Sequence, residues 1–264
     1  MKKITVLKSN DISFPIYSTF IEDSTIEWQM SRAEKYCLIE LLRTLKPETS
    51  IEIGTYKGGS LQVLSKYSKK VFSIDISSEP QKFLKSKFNN VSFEIGKSFD
   101  IIKDLILKIE SNNQKVEFIL VDGDHSKNGI QKDLEAILTH KFNNPLTIIV
   151  HDSFNPQCRK GIKSIDYKRF KNIKHIDLDY ITGCFSPNKD FKEMWGGFAI
   201  IRLDNNIEIN SKVNASQEML FKRAYIGSKH IIKDKFLFLS PLKKYFYKKF
   251  NLNHKSDTYN NFKS

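Results

Sequence analysis

Short apolar runs alternate along the chain with segments whose apolar residues follow the period of a helix. The apolar runs lie at 50–54, 71–76, 91–95, 116–122, 146–152, 173–178 and 196–203. The helical patterns lie at 31–46, 60–68, 79–88, 98–111 and 126–140. Runs of this length are typical of strands buried in a sheet, and strands that alternate with helices favour parallel pairing. The pattern therefore predicts an α/β fold with a seven-stranded, mostly parallel sheet and helices on both faces.

The segment 31–46 has the most regular helical pattern. Apolar side chains recur at positions 38, 41, 42 and 45, and Pro47 cannot continue the helix. Ser31 and Glu34 have the spacing of a capping box, in which each residue satisfies a backbone N–H of the other. We therefore predict an amphipathic helix that begins after Ser31 and ends before Pro47.

A glycine-rich turn follows the first predicted strand. Glycines at 54, 58 and 59 allow the backbone to turn sharply and to approach a ligand closely. Asp75 ends the next strand, 21 residues after Gly54, near the spacing at which an acid reaches a ribose hydroxyl in nucleotide-binding βαβ units. The pattern indicates a nucleotide-cofactor site, and the alternative is a tight strand-to-helix turn without a ligand.

The residues of the turn favour one kind of nucleotide. A dinucleotide site would show the pattern G-x-G-x-x-G, whereas here the carboxylate of Glu52 precedes the glycines. A carboxylate suits a cationic ligand, and S-adenosylmethionine carries a sulfonium, an amino group and a ribose. We therefore expect Glu52 near the methionine moiety and Asp75 on the ribose diol.

Acids and imidazoles follow two later strands. The run 116–122 ends in Asp122 and is followed by Asp124 and His125, and the run 146–152 ends in His151 and Asp152. Because ligands bind at the carboxyl ends of parallel strands, these side chains are expected to converge. Asp122, His151 and Asp152 could bind a divalent metal, and His125 could accept a proton. The alternatives are that the acids only cap helices and turns and that His151 hydrogen-bonds a carboxylate.

These motifs, in this order, resemble those of the class I S-adenosylmethionine-dependent O-methyltransferases. The resemblance covers roughly residues 28–203 and extends to catechol, caffeoyl-CoA, macrocin-type and cephalosporin-hydroxylase-like members. The segment 52–60 is similar to the family's E-x-G-x-Y-x-G-x-S loop, 96–98 to its G-x-S turn beside adenine, and 122–126 to its fourth-strand motif. The resemblance implies a Rossmann-like fold. It implies cofactor contacts from Met30, Ser31, Glu52, Gly54, Tyr56, Gly58, Gly59, Ser60, Asp75, Ile76, Gly96, Lys97, Ser98, Asp122 and Asp124.

The resemblance also implies the catalytic groups and a metal. Asp122 takes the place of the first metal ligand, and His125 takes the place of the catalytic lysine of the catechol-type enzymes. His151 and Asp152 replace the family's Asp-Asn pair, a departure closer to the macrocin-like branch, with its following Asn-Pro at 155–156. We therefore expect Asp122, His151 and Asp152 to bind Mg or Mn, although an imidazole ligand shifts preference toward transition metals.

The implied activity is transfer of a methyl group from S-adenosylmethionine to a hydroxyl. The expected acceptor is a small molecule or a sugar, with a phenolic or catechol hydroxyl as the second choice. His125 is expected to be the base, because an unperturbed imidazole has a pKa near 6.5 and is mostly neutral at neutral pH. Asp122 and His125 are thus the predicted catalytic residues.

Much of the positive charge lies at the end of the chain. Of the net charge of +13 over 264 residues, +8 comes from 206–264, which holds 12 Lys and Arg and 4 Asp and Glu. We divide the chain into an N-terminal segment (1–30), a methyltransferase domain (31–205) and a basic, aromatic helical extension (206–264). Ser240 and Pro241 mark the start of an amphipathic helix there, which could contact an anionic membrane surface or dock on the domain or a second subunit.

Two other kinds of function fit the basic extension. The protein could be an RNA-modifying methyltransferase, but the sequence lacks an Asn-Pro-Pro-aromatic motif, and no nucleic-acid partner is expected. It could instead be a non-catalytic scaffold at a membrane surface, against which Glu52, Asp75 and Asp122 argue. We expect a homo-oligomer.

The composition limits the cellular compartments in which the protein is expected. Cys37, Cys158 and Cys184 are too widely spaced for a zinc site and too few for a disulfide scaffold. No run approaches the roughly 18 apolar residues of a membrane span, and the first residues are too briefly apolar for a secretory signal. A cytoplasmic location is therefore expected.

Overall fold

The computed structural model describes residues 22–186, 192–204 and 213–235. Strands and helices alternate in it as the apolar pattern predicts. The helices are α1 (Arg32–Leu45), α2 (Leu61–Tyr67), α3 (Glu79–Leu84), α4 (Ser98–Ser111), α5 (Lys127–Leu138), α6 (Pro156–Lys163), α7 (Glu218–Ile226) and α8 (His230–Lys235), with a 3₁₀ turn at Tyr167–Arg169. The strands are β1 (Thr49–Ile53), β2 (Lys70–Asp75), β3 (Val91–Ile95), β4 (Val116–Val121), β5 (Leu146–His151), β6 (Ile173–Ile181), β7 (Cys184–Phe185), β8 (Met194–Trp195), β9 (Phe198–Leu203) and β10 (Val213–Asn214).

The large sheet has the order β10-β6-β9-β5-β4-β1-β2-β3. The pairs from β5 to β3 are parallel, and β9 runs antiparallel to both β5 and β6. The predicted α/β fold with a mostly parallel sheet is therefore confirmed. The strand number is corrected from seven to eight, because the two-residue β10 adds to the edge beside β6. Strands β7 and β8 form a separate ribbon.

Two apolar layers cover the two faces of the sheet. Ile119 and Val121 point into the layer formed with α4, α5 and α6, whereas Phe118 and Leu120 point into the layer formed with α1, α2 and α3. Successive residues of a strand face opposite sides, so a strand buried on both faces is continuously apolar. This explains why β4 and β5 are unbroken apolar runs in the sequence.

The helix caps follow from local sequence. In α1, Ser31 Oγ accepts from the Glu34 backbone N–H and Glu34 Oε2 accepts from the Ser31 N–H, so the predicted capping box is confirmed. Helix α6 is an addition to the predicted elements. Asn155 caps it by accepting from the Gln157 N–H, and Pro156 occupies its first position, where a missing N–H costs nothing.

The chain after β9 is described only in part. The helical pattern around 218–232 forms two helices, α7 and α8, and α7 ends at Ile226 with Gly227 as its C-cap. The amphipathic helix predicted after Ser240 lies outside the described residues. Among the helices that the structure describes, none is long and apolar enough to cross a membrane.

Candidate functional site

A cleft of about 590 Å³ opens at the carboxyl ends of the parallel strands, where the sequence analysis places the site. Most predicted cofactor residues line it. They are Met30, Gly54, Tyr56, Gly59, Ser60, Asp75, Ile76, Gly96, Lys97, Ser98, Asp122 and Asp124, together with His125 and His151. Four other predicted site residues are not part of its wall, namely Ser31, Glu52, Gly58 and Asp152.

The glycines of the turn are required by close packing. Gly54 has φ +92°, and a Cβ there would overlap the backbone carbonyl of Asp122 at the end of β4. A Cβ on Gly59 would come within 2.5 Å of the Trp28 backbone. The turn therefore holds the end of β1, the end of β4 and the segment before α1 in contact, and these three segments line the cleft.

Asp75 closes the turn from the end of β2. Its Oδ2 accepts from the N–H groups of Thr55 and Tyr56, at 3.0 and 3.2 Å, and its Oδ1 accepts from the Ser77 N–H at 2.9 Å. The carboxylate thus orders the backbone of the turn and also faces the cleft.

Glu52 lies behind the cleft wall. It is fully buried, and its two carboxyl oxygens accept from the hydroxyls of Ser60 and Ser73, each at 2.6 Å. Burial raises the pKa of Glu52 to about 8, although the two serine hydrogen bonds lower it. The carboxyl group is therefore mostly protonated at neutral pH, and Ser60 stands between it and the cleft, which differs from the expected contact with a cationic ligand.

A second buried carboxyl group supports the turn at 96–98. Ser98 lines the cleft, and its hydroxyl donates to Asp133 Oδ1 at 2.5 Å. Burial raises the pKa of Asp133 to about 6, although this hydrogen bond lowers it. The Ser98 hydroxyl is thereby fixed, with its proton directed away from the cleft.

Carboxylates and imidazoles alternate along one side of the cleft. His151 Nε2 lies 3.0 Å from Glu34 Oε1, and its Nδ1 lies 2.7 Å from Asp122 Oδ1. His125 Nε2 lies 3.2 Å from the same Asp122 oxygen, and its Nδ1 lies 2.8 Å from Asp152 Oδ2. We call this set of five residues the carboxylate–imidazole chain.

The carboxylate–imidazole chain fixes the charge of its members. The His125 side chain is 43% exposed, so loss of solvent lowers its pKa only in part, and attraction to Asp152 and hydrogen bonds to both aspartates raise the pKa to about 10. The pKa of His151 is likewise raised despite its burial, mainly by attraction to Asp122 and Asp152. Burial raises the pKa values of Glu34, Asp122 and Asp152, but the imidazoles outweigh it and lower all three. The expectation that His125 is mostly neutral at neutral pH is therefore corrected.

The predicted metal ligands do not fit a metal ion in this arrangement. Both nitrogens of His151 and both nitrogens of His125 face carboxylates, so no imidazole lone pair is available to a metal. Asp152 Oδ1 accepts from the Gly196 N–H at 2.5 Å. In the described ranges, no group of three or more His, Cys, Asp or Glu side chains could hold a metal. The predicted set of Asp122, His151 and Asp152 is therefore not supported as a metal site.

Glu34 belongs to the site, although the sequence analysis treats it only as a cap. Its side chain is fully buried, and its Oε1 accepts from the Gly197 N–H at 2.6 Å and contacts His151. Asp152 has φ +58°, a sparsely populated region for a non-glycine residue, and its carboxylate binds the adjacent Gly196. Neither pairing leaves a local pattern in the sequence, because each joins residues far apart in the chain.

Comparison with known proteins supports the resemblance drawn from the motifs. Residues 51–153 match a family model described as a methyltransferase domain. This match supports the resemblance to S-adenosylmethionine-dependent methyltransferases over that part of the chain. No curated protein matches the sequence.

Two solved structures have a similar fold. The O-methyltransferase TomG from Streptomyces achromogenes, involved in tomaymycin synthesis and solved with S-adenosylmethionine, is 14% identical with a TM-score of 0.52, over 75% of this chain and 96% of that one. Cofactor-bound Rv0187 from MTB is 14% identical with a TM-score of 0.50, over 76% of this chain and 100% of that one. At this identity the likeness shows the fold alone.

Proposed function

We propose that the protein transfers a methyl group from S-adenosylmethionine to a hydroxyl of a small molecule or a sugar. The observation that carries the proposal is that one cleft holds the glycine turn, Asp75 and Ser98 together with Asp122. The first three suit a nucleoside, and Asp122 supplies a carboxylate for an acceptor hydroxyl. The match of 51–153 to a methyltransferase domain supports the methyl-transfer part of the proposal.

The cofactor would be held by residues of the first three strand ends. Asp75 would bind the ribose hydroxyls, as an acid at the end of a second strand does in nucleotide-binding folds. The turn at 96–98 would border the adenine, and Met30 and Tyr56 would cover the cofactor. When bound, S-adenosylmethionine supplies an electrophilic methyl group on a positively charged sulfur.

The charge of the site suits that sulfonium. With Glu34, Asp122 and Asp152 ionised and both imidazoles protonated, the carboxylate–imidazole chain carries one negative charge in excess. Fixed charges in a cleft of low dielectric act more strongly than they do in water. The carboxylate–imidazole chain would therefore favour a cation at this side of the cleft.

Asp122 is the residue we assign to the acceptor hydroxyl. Its Oδ1 contacts both imidazoles, whereas its Oδ2 makes no hydrogen bond within the described part of the protein. A hydroxyl oxygen that forms a bond to carbon becomes positively charged and strongly acidic, so a carboxylate suffices to receive its proton. His125 and His151, as imidazolium ions, hold Asp122 in place. No step passes through a metal, because the residues present do not fit one.

Calorimetric titration of S-adenosylhomocysteine into the folded protein tests the cofactor assignment. We expect saturable one-to-one binding that EDTA does not change, and no binding of NADH, which serves as a control for general nucleotide affinity. A panel of sugars, phenols and amines, assayed by release of S-adenosylhomocysteine from S-adenosylmethionine, then tests the acceptor class. Absence of S-adenosylhomocysteine binding to folded, cofactor-free protein would contradict the proposal, and turnover of amines alone would contradict the hydroxyl assignment.

A further inference from the structure

A second cavity, of about 510 Å³, lies between the start of α5, helix α6 and helix α7. Its volume is in the range of small-molecule sites. It shares no lining residue with the cofactor cleft. We call it the basic pocket, because five cationic side chains line it, namely Lys127, Arg159, Lys160, Lys163 and Lys222.

The basic pocket has an excess of positive charge. Its single carboxylate, Glu218, lies 2.8 Å from Arg159 and 3.6 Å from Lys163. Lys127 and Lys222 are exposed and make no ion pair with any residue that the structure describes. Asp179, which lies outside the lining, also pairs with Arg159, but two carboxylates do not balance five cations, so the cavity favours an anionic ligand.

Arg159 forms the buried base of the pocket. Its side chain is 2% exposed, and its guanidinium donates to Asp179 at 2.8 Å and to Glu218. Its Nε, however, is buried and has no hydrogen-bond partner among the residues that the structure describes. Buried polar atoms are nearly always satisfied, so an orphan donor on a guanidinium indicates a missing acceptor. Phosphate oxygens are acceptors that suit the planar guanidinium.

Aromatic rings form another wall of the pocket. Phe221 and Tyr225 are stacked, with centroids 6.4 Å apart and an angle of 15° between their planes. Arg159 lies over the Phe221 ring at 4.5 Å, and Phe154 packs edge-on against Phe221 at 5.6 Å, so the ring is fixed. Phe221 and Tyr225 thus give the pocket an apolar surface, which suits the apolar C–H face of a sugar ring.

We infer that the basic pocket binds a phosphorylated sugar, with the phosphoryl group on the lysines and Arg159 and the sugar ring on the aromatic wall. The pocket and the cofactor cleft lie on the two sides of the first turn of α5. Lys127 follows His125 by two residues, and Cys158, next to Arg159, donates from Sγ to the His125 carbonyl at 3.4 Å. The inference does not depend on the proposed methyl transfer.

Titration with glucose 1-phosphate tests the inference, with glucose and inorganic phosphate as probes that each lack one half of the ligand. We expect saturable binding of glucose 1-phosphate at least tenfold tighter than that of inorganic phosphate, and no detectable binding of glucose. Saturating S-adenosylhomocysteine should leave the affinity unchanged. Equal affinity for phosphate and glucose 1-phosphate would overturn the sugar part of the inference, and no binding of either would overturn all of it.

The double variant Lys163→Gln/Lys222→Gln locates the site. It should weaken glucose 1-phosphate binding at least tenfold. The matched control is Lys168→Gln/Lys171→Gln, which removes two exposed lysines that do not line the pocket and should leave the affinity unchanged. Both double variants should melt within a few degrees of the unaltered protein. Equal losses in the two variants would show a general charge effect and overturn the assignment to this pocket.

Discussion

At the scale of single residues, Glu52 is a carboxyl group whose protonation should govern stability. Its pKa, ordinarily about 4.5, is raised to about 8 in the folded protein. A folded state that binds a proton more tightly than the unfolded state loses stability as pH rises between those two values. Each unit of pKa shift corresponds to about 1.4 kcal/mol, so we expect a loss on the order of 5 kcal/mol from this group.

The variant Glu52→Gln should not show this loss, because its amide stays neutral and keeps an oxygen acceptor for one serine hydroxyl. We expect the unfolding free energy of the unaltered protein, measured by urea at intervals from pH 5 to 9, to fall more steeply than that of the variant. The exposed Glu79 provides the control, and Glu79→Gln should keep the original slope. Parallel curves for Glu52→Gln and the unaltered protein would show that Glu52 is ionised throughout.

Asp122 is the residue whose replacement should separate catalysis from cofactor binding. Asp122→Asn keeps the shape of the side chain but removes the negative charge that faces both imidazoles. We expect turnover to fall roughly 10²–10⁴-fold, the range that proton transfer by one side chain contributes. S-adenosylhomocysteine affinity, measured by calorimetry, should change only a few-fold. Asp104→Asn, on the outer side of α4, is the control, and full activity of Asp122→Asn would contradict the assigned role.

Glu34 shows why some of the site lies beyond sequence analysis. The residue types at the strand ends could be predicted, since a parallel sheet gathers those ends at one edge. The pairing of Glu34 with His151 joins residues 117 positions apart, and it depends on how α1 crosses the sheet. Glu34 also satisfies a local capping pattern, and that pattern conceals its second role. The charge of His125 could not be predicted from the sequence either, because it depends on Asp152, which faces His125 from another strand end.

At the scale of elements, the junction of β1 with β4 depends on Gly54. A Cβ at this position would overlap the Asp122 carbonyl, and φ of +92° is strained for any other residue. We expect Gly54→Ala to separate the two strand ends, to lower the melting temperature and to abolish S-adenosylhomocysteine binding. Gly227→Ala is the matched control, because its Cβ would meet no atom closer than 3.7 Å, and it should melt like the unaltered protein. Intact ligand binding in Gly54→Ala would contradict the packing argument.

The elements that the sequence predicts are those with a long periodic pattern. Helix α4 has the predicted bounds, because apolar residues recur along its whole buried face. Helix α3 ends at Leu84 rather than at 88, with Lys85 as its C-cap. Helix α6 has eight residues and buries Arg159, so no apolar stripe identifies it, and its only local signal is the Asn155-Pro156 cap. Strand β10 has two residues, too few for any period.

At the scale of the whole molecule, cofactor binding should stabilise the described domain by mass action. A ligand that binds only the folded state, at 100 times its Kd, adds about 2.7 kcal/mol to the unfolding free energy. For a chain of this size that corresponds to a rise of roughly 5–10 °C in melting temperature. The measurement is thermal unfolding followed by circular dichroism over a series of S-adenosylhomocysteine concentrations. A melting temperature that does not depend on concentration would contradict the cofactor assignment.

The same experiment tests whether the two cavities act as separate sites. The cofactor cleft and the basic pocket share no lining residue, and α5 separates them, so the two ligands should stabilise the protein independently. With S-adenosylhomocysteine and glucose 1-phosphate each at 100 times its Kd, the stabilisations should add to about 5 kcal/mol. The variant Lys163→Gln/Lys222→Gln should lose only the stabilisation by glucose 1-phosphate. The variant Gly54→Ala should lose only the stabilisation by S-adenosylhomocysteine. A combined effect no larger than either alone would mean that the ligands compete for one site, because two sites that bind independently must contribute additive free energies.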